Sequence, residues 1–402
     1  MSDPSEITVR RRRVFYIPGY DPIHPRRYRE LYRKEGAAQA AISGYDIALS
    51  ARTGKGRYGW RVEGRIDDEP VEAEFDVLVW SDIVRSSMAQ GIAGTYLQLA
   101  RTAWTYIGSG VLWRLMRLRK GPVIAALYPV VFLLAQLALA LLLAWGLGRL
   151  LALIHPWLAW AGLIVVPFVL EWFRRRDGRF FAYYLMHDYA YSARYRGANP
   201  PELEARMAEF ADEIAEALAG DADEVLIVGH SSGAHLAVSI LADLIRARRA
   251  PANGPALSLL TLGQVAPMVS FLPDAHRLRA DLQYLGETDA LAWVDVTAPG
   301  DGCAFALCDP VSVSGVATPA KRWPLVISAA FTQTLSPARW RELRWRFFRL
   351  HFQYLCAFDR PNDYDYFRIT AGARTLGARY KGRAPSKSRI ETPVNKFNGI
   401  AA

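Results

Sequence analysis

Three cysteines in 402 residues are too few for a disulfide framework. Cys303, Cys308 and Cys356 show no paired C-x-x-C spacing, which sets aside a zinc site and leaves ordinary buried thiols of a reducing compartment. The N-terminus lacks an apolar run of signal-peptide type; it is polar, then basic from Arg10 to Arg13. Charge is sparse, at 22% against 51% hydrophobic residues, so the chain is not disordered. Acidic groups are the scarcer sign, 39 against 49 Lys and Arg, and the net charge is +10. Such a surplus could serve nucleic acid, but no basic helix interleaved with aromatics is present. The arginines cluster beside apolar runs, which points to a membrane surface. No internal repeat is found, and the length allows a full-sized core and more than one structural unit.

Charge is missing altogether from Gly121 to Gly148, and again, His155 apart, from Leu150 to Leu170. Each stretch exceeds the roughly 18–20 apolar residues that cross a bilayer. Core helices carry a polar stripe, whereas Leu133 to Trp145 offers only Gln136. Trp145, Trp157, Trp160 and Trp172 lie near the ends of the stretches, where interfacial aromatics belong. The pattern predicts a transmembrane hairpin, with a re-entrant or surface-lying pair as the alternative. Arg114, Arg117, Arg119 and Lys120 precede it, and Arg174, Arg175, Arg176 and Arg179 follow. The positive-inside rule then puts both soluble parts on the cytoplasmic side of the inner membrane, able to form one domain, and the basic flanks attract membrane lipids.

Outside the hairpin the pattern alternates. Strands are expected at Val14–Pro18, Trp60–Ile66, Phe75–Trp80, Leu257–Leu262 and Leu291–Thr297. Helices are expected at Pro25–Ala41 and Pro201–Ala219, and a helix or helix end at Trp340–Phe352. This implies an α/β fold, a mostly parallel sheet with helices on both faces, interrupted by the hairpin. The expected boundaries are 1–110 and 181–375 for the two parts of the domain, 111–180 for the hairpin and its basic flanks, and 376–402 for a flexible basic tail, polar from Lys381 onward.

The most informative segment joins a strand to a helix. The apolar run Val225–Val228 stops at Gly229, and an Ala/Leu-rich helical pattern begins after Gly233. Between them lies Gly229-His230-Ser231-Ser232-Gly233, a G-x-S-x-G pentapeptide in the setting that turns a serine into a nucleophile. Ser231 is centred between the glycines and is preferred to Ser232. The following helix points free N–H groups at the place where an oxyanion forms. A serine hydroxyl needs a base. Of seven histidines, His155 lies in the hairpin, and His230 and His235 flank the turn without reaching the hydroxyl. His24 and His276 sit in loops, and His187 in a Tyr-rich stretch. His351 lies downstream of every strand and is the candidate base. The base needs a carboxylate. Asp295 is inside a strand. Asp301 lies in a Pro-Gly-Asp-Gly turn just past a strand's carboxyl end, with Asp309 as the alternative acid.

These residues resemble the α/β-hydrolase superfamily, and within it lipases and esterases. The order Ser231, Asp301, His351 matches that superfamily's Ser…Asp…His order. Val-Phe-Tyr-Ile-Pro-Gly-Tyr-Asp near the N-terminus looks like its oxyanion strand and loop, which implies the N–H of Tyr20 as one donor and that of Ser232 as the second. The resemblance covers 14–80 and about 182–370. The chain starts at what corresponds to the third strand, so the first two are missing or replaced and about six strands are expected. The transmembrane insertion is not a usual family feature.

The expectation is therefore a membrane-anchored serine hydrolase cleaving an ester or related acyl bond of a lipidic substrate, without cofactor or metal and without a nucleic-acid partner. Acyl transfer or thioester hydrolysis on the same fold stays open. So does a catalytically silent scaffold, which a complete triad argues against. A transporter is disfavoured, because two helices with no buried ionisable pair form no pathway.

Overall fold

The computed structural model describes residues 8–52, 56–66 and 69–401. Eight strands build one sheet: β1 (Arg11–Ile17), β2 (Asp46–Ala51), β3 (Gly59–Ile66), β4 (Glu69–Val77), β5 (Glu224–His230), β6 (Ala256–Leu262), β7 (Ala292–Thr297) and β8 (Leu325–Ser328). Their order is β2-β3-β4-β1-β5-β6-β7-β8. The two pairings of β3 are antiparallel, and every other neighbouring pair is parallel.

Strand β5 shows why the sheet is central. A strand covered on both faces needs apolar residues of both parities. Val225 and Ile227 pack on one face with the helices Pro201–Leu218, Ser232–Arg246 and His276–Glu287. Leu226 and Val228 pack on the other, with Tyr28 and Tyr32 of the helix Arg26–Ser43 and with Leu350, Tyr354 and Phe367. Helices thus cover both faces of a mostly parallel α/β sheet.

Three expectations are corrected. The sheet has eight strands, not about six. β2 sets only Ile47 and Leu49 against exposed small residues (Ala48, Ser50, Ala51), and β8 (Leu-Val-Ile-Ser) has only four residues, so the apolar pattern of each edge strand is too short to stand out. The positions beyond β4 are filled by β3 and β2, which arise between β1 and β4. The segment Trp340–Phe352 is not one helix. Helices Pro337–Leu343 and Phe347–His351 are separated at Arg344–Arg346, which lets the second set the direction of His351. The polar segment from Lys381 is no loose tail. The Ser386 N–H donates to Val326 O (2.9 Å), Ile390 pairs with Leu307 and Asp309, and the Arg279 guanidinium holds Gly399 O (2.7 Å). Backbone pairing and three isolated apolar side chains, Ile390, Val394 and Phe397, hold it to the domain.

The apolar stretches form helix Lys120–Leu151 and segment Pro156–Arg175, both long and apolar enough to cross a membrane. Only 22% and 11% of their most apolar windows are buried, so these are not core helices. Gln136, Ala140, Ala144 and Gly148, four residues apart, form the stripe of the first helix that is buried. A side chain at Gly162 would collide with Ala144 O, and one at Gly148 would come within 2.6 Å of Ala159 O. Small residues thus let the two backbones touch.

Candidate active site

The site lies past the carboxyl ends of the strands. β5 is fully buried up to His230, and the helix Ser232–Arg246 begins two residues later. The chain makes that turn by holding Ser231 at φ 56°, ψ −120°, a strained conformation for a residue with a side chain. Its neighbours permit it. A Cβ at Gly229 would sit 2.6 Å from Gly233 O, and one at Gly233 would strike Ile17 O. The Ser231 N–H donates to Leu262 O at 2.9 Å, tying the turn to the end of β6. The loop after β1 passes over the serine, so that a Cβ at Gly19 would lie 3.4 Å from Ser231 Oγ. Among the described residues, neither the Tyr20 nor the Ser232 backbone N–H has an acceptor.

His351 reaches the same place from the end of the helix Phe347–His351. Its Nδ1 lies 2.7 Å from Asp301 Oδ2. Asp301 also accepts from the Cys303 N–H (2.9 Å) and the Tyr354 hydroxyl (3.1 Å). Burial alone would raise this carboxyl, but the His351 ring and these donors outweigh it and hold it below the usual carboxylate range. With Nδ1 engaged, Nε2 is the nitrogen left to exchange a proton. Among the described residues neither Ser231 Oγ nor His351 Nε2 has a hydrogen-bond partner, and both residues line one cleft. A hydroxyl and an imidazole nitrogen left free in one cleft can exchange a proton once a substrate aligns them.

The alternative acid lies elsewhere. Asp309 caps the turn Pro310–Val313 through Val311 and Ser312 N–H (3.0 Å each) and pairs with Lys321 Nζ at 2.5 Å. Asp295 is buried in β7, accepts from Thr261 Oγ1 at 2.6 Å, and is pushed up to about 8 by burial. His351 is, among the described residues, the histidine that meets a carboxylate. His187 bonds Gln98, His276 bonds Gly399 O, His24 accepts from Arg26 N–H and His155 accepts from Trp157 N–H.

Two contributors were not singled out in the sequence. Tyr354 holds Asp301 and accepts the Ala298 N–H (3.0 Å), bracing the turn after β7. Its spacing of three from His351 was the available clue. His230 points back from the turn, with Nε2 3.0 Å from His351 O. Burial pushes its ring down to about 3, so it is a neutral N–H donor that fixes the backbone of His351.

The cleft encloses about 550 Å³ and combines Ser231, His351 and Tyr20 with Pro122 at the root of the first apolar helix and Phe181 and Tyr184 just beyond the second. A second groove, of about 780 Å³, lies at the opposite end of the strands, where Arg13–Asp76, Arg57–Glu213 and Arg11–Asp221 satisfy one another. Asp301, Cys303 and His351 are the set of metal-type donors gathered among the described residues, within 4.8 Å. Burial holds the Cys303 thiol well above its usual range, and Asp301 and His351 already bond each other. The set therefore reads as a carboxylate–imidazole pair and not as a metal centre. No family model, curated protein or solved structure matches the chain.

Proposed function

We propose that the protein is a membrane-anchored serine hydrolase of the α/β-hydrolase type that cleaves acyl esters of lipidic character. The observation that carries this is the His351–Asp301 pair, which shares a cleft with a strained Ser231 at a strand-to-helix turn. His351 Nε2 takes the proton of Ser231 Oγ as the oxygen attacks the ester carbonyl carbon. The Tyr20 and Ser232 N–H groups, which have no other acceptor among the described residues, receive the negative oxygen. The carbonyl re-forms, the carbon–oxygen bond to the alcohol breaks, and His351 returns the proton to the leaving alkoxide. Water, deprotonated by the same ring, releases the acid. Asp301, held ionised, keeps the ring in one tautomer and stabilises the imidazolium.

The lipidic character rests on where the cleft leads. A second, apolar cavity shares Tyr106, Tyr189 and Met268 with it, and is bordered by Val123, Ala126, Leu127 and Val130 of the helix Lys120–Leu151. That cavity is small, about 70 Å³, and adjoins the cleft on the side of the apolar helix, so an acyl chain held at Ser231 meets apolar surface there. The arginine clusters at the hairpin's two outer ends favour a cytoplasmic-membrane location with the sheet domain in the cytoplasm.

The test is labelling by a fluorophosphonate, alongside hydrolysis of a short soluble ester. Labelling is expected in the wild type and in Ser232→Ala and lost in Ser231→Ala. Labelling that survives in Ser231→Ala and disappears in Ser232→Ala moves the nucleophile. No labelling and no hydrolysis in the wild type leaves a scaffold and ends the enzyme reading.

A further inference from the structure

The cleft reverses the sign of the protein. A chain of net charge +10 lines this cavity with Asp21, Asp177 and Asp188 against one guanidinium, Arg27. Two of the acids are occupied. Asp21 pairs with Arg27 (3.3 Å) and accepts the Tyr28 hydroxyl (2.6 Å), and Asp177 accepts the Tyr183 and Tyr184 N–H groups at 2.9 Å. Asp188, on the helix Ala182–Arg194, has no hydrogen-bond or ion-pair partner among the described residues. The groups within its electrostatic reach are Tyr20, Tyr106, Tyr184, Tyr189, Cys303 and His351. Three of those tyrosine hydroxyls are engaged away from it: Tyr20 with Ser87, Tyr106 with Met268 O and Tyr184 with Tyr20 O. What they leave toward the cleft is aromatic surface.

A second polar side chain is orphaned. His235, on the helix that follows Ser231, lines the same cleft and, with Asp188, an adjoining smaller one. Its Nδ1 is buried with no hydrogen-bond partner. Burial pushes the ring down to about 4, so it adds no positive charge. A lone carboxylate, a neutral nitrogen and aromatic faces form the combination that holds an ammonium group.

We propose that Asp188 anchors a positively charged group of the substrate, so that the preferred ester joins a fatty acyl chain to an alcohol bearing a primary or quaternary ammonium. This rests on the hydrolase reading for the reaction but not for the binding. Burial pushes the Asp188 carboxyl up to about 7, and an arriving cation returns it to the charged form, a gain that a neutral group does not supply.

Binding is measured on Ser231→Ala, which cannot turn over ligand, with decanoylcholine and its uncharged carbon isostere 3,3-dimethylbutyl decanoate. Decanoylcholine is expected to bind at least tenfold tighter. The preference should collapse to near one in Ser231→Ala/Asp188→Asn and persist in Ser231→Ala/Asp188→Glu, which keeps the charge and guards against a merely misfolded variant. Equal binding of the two esters, or a preference that survives Asp188→Asn, overturns the proposal. Hydrolysis of the same pair by the Ser231 enzyme separates the two claims. A cation preference in binding with no hydrolysis of either ester keeps this site and ends the esterase. Hydrolysis of both at equal kcat/KM keeps the esterase and ends this site.

Discussion

The sheet domain and the hairpin use hydrophobic residues in opposite ways. In β5 every residue is buried, and the apolar side chains face inward on both sides of the sheet. In the hairpin they face outward: Leu153 is 84% exposed and Trp157 77%. The domain hides ionisable groups that it can pair. Arg12 and Glu224, both fully buried, meet at 2.6 Å, and Glu224 also takes the Ser258 hydroxyl and the Leu376 N–H (2.7 Å each). The hairpin window has nothing comparable, and Gln136 is the one polar side chain that its long helix turns inward. One region buries its apolar residues within the fold and the other leaves them outside it, so the two answer to different perturbations.

The widest separation is expected at the strained turn. Ser231→Ala should lower ester hydrolysis by on the order of 10⁴-fold or more, and Asp301→Asn by on the order of 10³–10⁴-fold. Both variants should stay in the membrane pellet through high salt and alkaline wash, because neither touches the hairpin. Asp309→Asn should leave kcat near wild type and lower stability by about 1 kcal/mol, through a weakened cap and a Lys321 left with Glu391 as its one carboxylate partner among the described residues. Loss of kcat in Asp309→Asn with retention in Asp301→Asn would reassign the acid.

The converse experiment removes location and keeps chemistry. The Phe132 and Phe173 rings lie 6.1 Å apart, so a short Gly/Ser linker can join Leu133 to Glu171 and delete the exposed part of the hairpin. Leu133 must stay, since it is buried against Leu99, Tyr183 and Met186 and its carbonyl accepts the Tyr96 hydroxyl (2.8 Å). The truncated protein is expected in the soluble fraction without detergent, labelled by a phosphonate at the full-length rate. Its preference for membrane-embedded long-chain esters over short soluble ones should fall by about two orders of magnitude, the worth of a few buried methylenes. Release of the intact protein by salt alone would show the hairpin lying on the surface, since salt screens the arginines but not apolar burial.

How much of this was legible in the sequence follows the range of the interaction. The turn at Ser231 was legible because its geometry is written in five consecutive residues. The hairpin was legible because a charge gap needs no partner to interpret it. β2 and β8 were not, being short or exposed edges whose pattern is set by one neighbour. The bonding of the segment beyond Lys381 was hidden because it rests on backbone groups, which every sequence has, and on scattered side chains such as Ile390, Asn395 and Phe397 that form no period. Asp301 stood out from Asp309 only by lying past a strand end. Tyr354, His230 and Asp188 act across the fold, and nothing beside them in the chain announces a carboxylate, a carbonyl or a cleft.

Tyr354 gives a smaller and more specific test. Tyr354→Phe removes one donor from Asp301 and leaves the Ala298 N–H without its acceptor. A hydrogen bond to a charged group is worth about 1.5–3 kcal/mol, so kcat should fall roughly tenfold to a hundredfold. KM for a short ester should stay within about twofold, since the hydroxyl lies behind Asp301 and touches no substrate. A rise in KM at constant kcat would place Tyr354 in binding and not behind the acid.

The smallest effect is one of pH, and it should touch the sheet domain alone. Asp295 is buried in β7 and raised to about 8 by burial, while in the unfolded chain it ionises near the ordinary 3.9. The folded state therefore keeps a proton that the unfolded state has released. By linkage, the stability attached to that proton is full below about pH 4 and is lost as pH rises through about 8. Asp295→Asn keeps an oxygen for the Thr261 hydroxyl and removes the ionisation. The variant should match the wild type near pH 4 and be more stable at pH 8, by roughly 1–3 kcal/mol once local relaxation is allowed for. Thermal unfolding in detergent, followed by near-ultraviolet circular dichroism, reads the domain. The helical signal that persists above that transition reads the hairpin, which has no such group in its apolar window and should not respond. Parallel Tm profiles for variant and wild type from pH 5 to 8 would show that Asp295 is already ionised in the fold, with its charge compensated within the sheet.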